Sequence, residues 1–183
     1  MIRKILVTLT GLAALTAVGM SPASASTAQA VSPLFSTEIC AQAGTGYCLN
    51  DWSDGGSGAA VKMYTSGTAN DYFETVGLTA YHYGGYEGYE IVPNGHQTLC
   101  VGTDASANAN LGACPNPHGG STGSNIWIEN GACDVGSLTG TLLVNIYWSN
   151  KYGTNAFLVS GGSVGAQAKI TTSLAGASCW AQI

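Results

Sequence analysis

The chain has 183 residues, of which 8% are charged, and a formal net charge of −5. Beyond residue 30 only Lys62, Lys151 and Lys169 carry fixed positive charge, against all ten acidic residues. That balance excludes a cationic face for nucleic acid and argues against an anionic membrane surface.

In chain order, Arg3 and Lys4 precede an apolar run from Ile5 to Gly19, and two Ala-x-Ala cleavage options follow, Ala23-Ser24-Ala25 and Ala28-Gln29-Ala30. This order predicts a secretory signal peptide over residues 1–30. The run is shorter than the roughly 20 residues that cross a bilayer, so no membrane insertion is expected. Residues 31–183 are then expected to form one secreted domain. All six cysteines, Cys40, Cys48, Cys100, Cys114, Cys133 and Cys179, lie in it. An even count in an exported chain favours disulfides. No Cys-x2-Cys pair occurs, and His82, His96 and His118 show no ligand-like spacing with the cysteines, so neither metal nor cofactor is expected.

Gly, Ser, Thr, Asn and Asp clusters interrupt short runs of Val, Ile, Tyr and Leu, and no segment beyond residue 30 sustains a helical apolar stripe. The pattern predicts an all-β domain. GTLLVNIYW, Gly140 to Trp148, predicts a largely buried strand. Tyr81 to Glu90 (YHYGGYEGYE) reads as ordinary strand in preference to an aromatic binding face.

Phe73, Trp127 and Trp180 recur at intervals of 54 and 53 residues. Each closes a unit that opens with an apolar pair at Leu49, Val101 or Leu158 and carries a second apolar signal near Val61, Leu111 or Ile170. Three units of about 50 residues, none able to cover its own apolar side, predict one shared core.

At this level the residues resemble a known family. YCLNDWSDGGSGAAVKMYTSGTANDYF, Tyr47 to Phe73, is similar to one repeat of the ricin B-chain-type β-trefoil lectins: Cys-Leu-Asp, a glycine-rich loop, Val-Gln-Leu-Trp, a second Cys, then Asn-Gln-x-Trp. CVGTDASANANLGAC followed by SNIW resembles a second repeat, and Phe157-Leu158 with Trp180 marks a third. The Gln-x-Trp positions read Asp71-Tyr72-Phe73, Asn125-Ile126-Trp127 and Ser178-Cys179-Trp180, a departure in every repeat. The resemblance implies a disulfide-stapled β-trefoil over residues 37–183. It also implies a bond within repeat two, Cys100 to Cys114. Because Ser66 stands where repeat one would have its second cysteine, it further implies Cys40 with Cys48, and Cys133 with Cys179. The residues alone fix no connectivity.

For a ligand, the resemblance implies a neutral sugar held by Asn50, Tyr64 and Asn70, with Asn50 replacing the family's aspartate. Asp51 is a candidate substitute for that carboxylate, although adjacent strand residues face opposite sides. Trp52 has two readings, a sugar platform or a cap over the end of the core. Repeat two retains only Asp104 and Asn125, with Gly102 and Gly112 at the other positions, and repeat three offers Ser160 and Thr171. Asn50, Asp51 and Asp54 do not form an EF-hand, because Trp52 and Val61 occupy its third and twelfth positions.

Gly161-Gly162-Ser163-Val164-Gly165 matches a nucleophile pattern, but no Asp, Glu or His follows Ser163. Glu87, Glu90 and Glu129 are available for glycoside hydrolysis without a spacing that fixes it. The expectation is a secreted carbohydrate-binding, lectin-like module without catalytic activity, whose partners are extracellular glycans. The alternative is a trefoil with decayed sugar sites that binds a secreted protein, for example as a protease inhibitor.

Overall fold

The computed structural model describes residues 36–41, 47–114 and 124–183. The expected signal peptide at residues 1–30 and His118 lie outside the described residues. The elements in order are β1 (Ser36–Ala41), β2 (Tyr47–Asp51), β3 (Val61–Thr65), β4 (Tyr72–Tyr83), β5 (Tyr86–Pro93), β6 (Leu99–Thr103) and β7 (Ala109–Ala113). They continue with β8 (Trp127–Val135), β9 (Leu138–Asn145), helix α1 (Ile146–Tyr152), β10 (Phe157–Val159), β11 (Lys169–Thr171) and β12 (Cys179–Gln182). Single 3-10 turns lie at Ala69–Asp71 and Leu174–Gly176. The described residues are therefore all-β apart from one short helix.

The strands divide into two sets. Antiparallel pairing runs from β1 to β4, β5, β8, β9 and β12 in turn, and β12 also pairs with β1. The others form the hairpins β2–β3, β6–β7 and β10–β11. Bridges between Ala60 and Asn110, Lys62 and Gln167, and Asn108 and Lys169 bring each hairpin against the other two. Backbone bonds from Ala168 N to Val61 O (3.1 Å) and from Ala109 N to Ala168 O (2.8 Å) tie the three together.

Alternation along these strands delivers one core. In β3, Val61 and Met63 are buried while Lys62 and Tyr64 are only partly so; β7 repeats the pattern with Ala109 and Leu111. Leu49, Val101 and Leu158 join Phe73, Trp127 and Trp180 in a single apolar cluster. The indoles also supply donors. Trp127 Nε1 donates to Val101 O at 2.8 Å and Trp180 Nε1 to Leu158 O at 3.2 Å, so each satisfies a buried carbonyl of its own unit. Three disulfides join Cys40 to Cys48, Cys100 to Cys114 and Cys133 to Cys179.

Two segments refine the sequence reading. Tyr81 to Glu90 is the hairpin of β4 and β5, turned by Gly84 and Gly85 at φ 59° and 88°, values that glycine adopts without strain. The expected strand Gly140 to Trp148 is corrected at its end: β9 stops at Asn145 and α1 begins at Ile146. Asn145 Oδ1 accepts from Trp148 N, Ser149 Oγ donates to Asn145 O, and Gly153 closes the helix at φ 68°. Long-range packing completes it, with Trp148 Nε1 donating to Thr103 Oγ1 at 2.7 Å.

Candidate functional site

The β2–β3 hairpin builds the site. Asn50 lies opposite Lys62, and Cys48 opposite Tyr64, so these four share one face of the hairpin. Leu49, Asp51, Val61 and Met63 take the other face. On the outer face an open cleft of about 390 Å³ is lined by Asn50, Trp52, Ser53, Tyr64, Thr68 and Asn70. Four of the five residues expected to contact sugar therefore converge, and Asp51 does not join them.

A polar network sets the cleft floor. The chain leaves β3 and makes a 3-10 turn whose first N–H groups need acceptors. Thr68 and Asp71 form a reciprocal cap. Asp71 N donates to Thr68 O at 3.1 Å, while Thr68 N and Oγ1 donate to Asp71 Oδ2 at 2.9 and 2.7 Å. Asn50 Nδ2 donates to Asp71 Oδ1 at 2.8 Å and to Thr68 Oγ1 at 3.3 Å. Since the Thr68 hydroxyl already gives its proton to Asp71, both N–H groups of Asn50 point inward. Its carbonyl oxygen is the remaining acceptor of that side chain.

Aromatic surface flanks this floor. Trp52 and Tyr64 meet edge to face at 6.0 Å between ring centroids, and Lys62 Nζ lies 4.4 Å from the Trp52 centroid. A Cβ at Gly165 would come within 3.5 Å of the indole, so Trp52 also rests on the β10–β11 loop. It both lines the cleft and packs against the loop of a neighbouring hairpin. Ser53 and Asp54 beside it hold φ of 67° and 50°, uncommon for residues with a Cβ.

Asp51 faces away and is 2% exposed. Its Oδ1 accepts from Gly55 N at 3.0 Å. Its Oδ2 lies 3.8 Å from His96 Nε2, and Asp54 Oδ1 lies 2.6 Å from the same nitrogen. Burial pushes the Asp51 carboxyl above its ordinary value; the Gly55 bond and the imidazole oppose the rise, and Asp54 adds to it. The Asp54 hydrogen bond holds the His96 imidazole above its usual value against a smaller desolvation effect. These three residues offer one imidazole and two carboxylates within 4.8 Å of one another. Two other His/Cys/Asp/Glu groups contain cysteines already used in disulfides, Cys40 with Cys48 and Cys100 with Cys114.

The remaining positions serve their own loops. Asp104 accepts from Ser106 N, Asn108 N and Asn108 Nδ2 at 2.8, 2.9 and 3.1 Å. In repeat two Gly102 offers no side chain, and Asn125 Nδ2 turns to Glu90 Oε1 at 3.0 Å. Ser160 Oγ accepts from Gly162 N, and Thr171 Oγ1 from Ser173 N. The loop after β3 is tied to β1: Ser66 Oγ and Gly67 N both donate to the Glu38 carboxylate. Ser163 lies between β10 and β11, a hairpin, without the strand-to-helix turn that its motif requires.

Sequence reasoning missed Thr68, Ser53 and Asp71 as builders of the cleft. Thr68-x-x-Asp71 is a legible cap signal, whereas the positive φ at Ser53 has no signature in a serine. Comparison of the chain with protein-family models, with curated proteins and with solved structures gives no match.

Proposed function

We propose that this protein is a secreted, disulfide-stapled β-trefoil of the ricin B-chain type that binds a neutral sugar reversibly, without catalysis, at the cleft of its first repeat. The observation that carries the reading is the convergence of Asn50, Trp52, Tyr64 and Asn70 on one opening. A sugar presents hydroxyls and an apolar C–H face. Carbonyl acceptors, an amide donor and two aromatic rings match both. The successive pairing of six strands and the mutual contact of three hairpins support the trefoil reading. Export is supported by the three disulfides, and no helix among the described residues is long and apolar enough to cross a membrane. With one such cleft, affinity per site is low and avidity comes from several copies on a surface.

Titration of the protein with simple saccharides, followed by amide and indole chemical shifts, tests this placement. Shifts centred on the Trp52 indole, Asn50 and Asn70 are expected; shifts confined to other units would refute it.

One observation favours the second reading, a protein partner. A cleft of about 410 Å³ against β4, β5 and β8 is lined by Glu87, Tyr89 and Glu129 among others, and the Tyr89 hydroxyl is buried without a hydrogen bond. No lysine or arginine among the described residues pairs with either glutamate. A basic side chain of a secreted partner fits that chemistry.

A further inference from the structure

On the face of the β2–β3 hairpin opposite the sugar cleft, Asp51 is 2% exposed, and Gly55 N donates to its Oδ1 at 3.0 Å. His96 Nε2 lies 3.8 Å from the other oxygen, Oδ2. No lysine among the described residues forms an ion pair with Asp51 or Asp54. Asp54 Oδ1 lies 2.6 Å from the same imidazole nitrogen.

We propose that Asp51, Asp54 and His96 form a binding site for a divalent transition ion of the zinc class. Zinc takes imidazole nitrogen and carboxylate oxygen at about 2.0–2.2 Å, which puts neighbouring ligand atoms of a tetrahedral site about 3.4 Å apart. The separations of 2.6 and 3.8 Å at His96 Nε2 bracket that value, and all three ligand atoms lie within 4.8 Å of one another. A modest opening of the His96–Asp54 contact admits the ion. The Asp54 side chain is 70% exposed and His96 32%, so the ion has an entry path and water completes the fourth position. Gly55 N holds Asp51 through the other oxygen, the outer contact that orients a ligating carboxylate. An imidazole and only three protein donors disfavour calcium. The ion would fasten the β2–β3 loop to the turn between β5 and β6, segments that are 42 residues apart at Asp54 and His96.

The proposal stands apart from the sugar reading, since a chain that binds no glycan can still bind zinc. Calorimetric titration of the chelator-treated full chain with zinc sulfate is expected to give one ion per chain, and cobalt(II) is expected to give the strong visible absorption of a tetrahedral site. His96→Ala and Asp54→Asn are each expected to weaken binding at least about tenfold. The wild-type chain gives a second readout: zinc should shield His96 from diethyl pyrocarbonate, read by mass spectrometry. Absence of stoichiometric binding, binding undiminished in both variants, or His96 modified equally with and without zinc would overturn the proposal.

Discussion

Asn50 donates to Asp71 across 2.8 Å, a buried amide held against a buried acid. One substitution alone would leave two carboxylates or two amides facing each other. The reciprocal pair keeps a donor against an acceptor and leaves Asp71, at 0% exposure, with three hydrogen bonds.

A carboxylate at position 50 alone should therefore do harm. Asn50→Asp sets two buried carboxylates in contact, one of which must take up a proton. Urea unfolding at neutral pH is expected to show a loss of about 2–4 kcal/mol. Asp71→Asn added to Asn50→Asp should recover most of that loss. Two single-variant losses that simply add in the double variant would show that the side chains are not coupled.

The disulfides close loops of different length, with sequence separations of 8, 14 and 46 for Cys40–Cys48, Cys100–Cys114 and Cys133–Cys179. Loop-closure entropy then ranks them at about 2.5, 3 and 4 kcal/mol. Paired Cys→Ala variants compared by denaturant midpoint should follow that order, with Cys133→Ala/Cys179→Ala the weakest. A reversed order would mean that local packing outweighs chain entropy here.

Acid should loosen the β6–β7 loop. Burial acts to raise the Asp104 carboxyl, but its bonds from Asn108 and Ser106 outweigh it and hold the group below its ordinary value. A carboxyl depressed in the fold stabilises above its unfolded value, about pH 4, and loses that contribution as pH falls through the folded value. The same carboxylate steadies a loop in which Ala107 sits at φ 65° and Ala107 O accepts from Ile170 N at 2.8 Å. Melting temperatures measured from neutral pH downward should fall less steeply below about pH 4 in Asp104→Asn than in the wild type. Parallel profiles would remove Asp104 from the acid response.

The all-β class was legible because turn residues punctuate short apolar runs throughout, and the period of Phe73, Trp127 and Trp180 marked residues that meet in one core. The end of GTLLVNIYW was not. Ile146, Tyr147 and Trp148 have strand propensities, and the cap at Asn145, the stop at Gly153 and the distant Thr103 override them. Asn50 and Tyr64 were brought together only by the resemblance, because alternation within one strand does not fix its register against another; alternation did turn Asp51 away. The meeting of Asp54 with His96 lay beyond local pattern, since only the packing of two separate loops creates it.

The central claim rests on the cleft between Tyr64 and Asn70. A glycan array probed with the wild type and with Tyr64→Ala and Asn70→Ala, each checked for an unchanged fold by circular dichroism, tests it most directly. The account predicts retention of one glycan class by the wild type and a loss of about tenfold or more in each variant. Binding that survives both substitutions, or no binding to any glycan at high density, would contradict it.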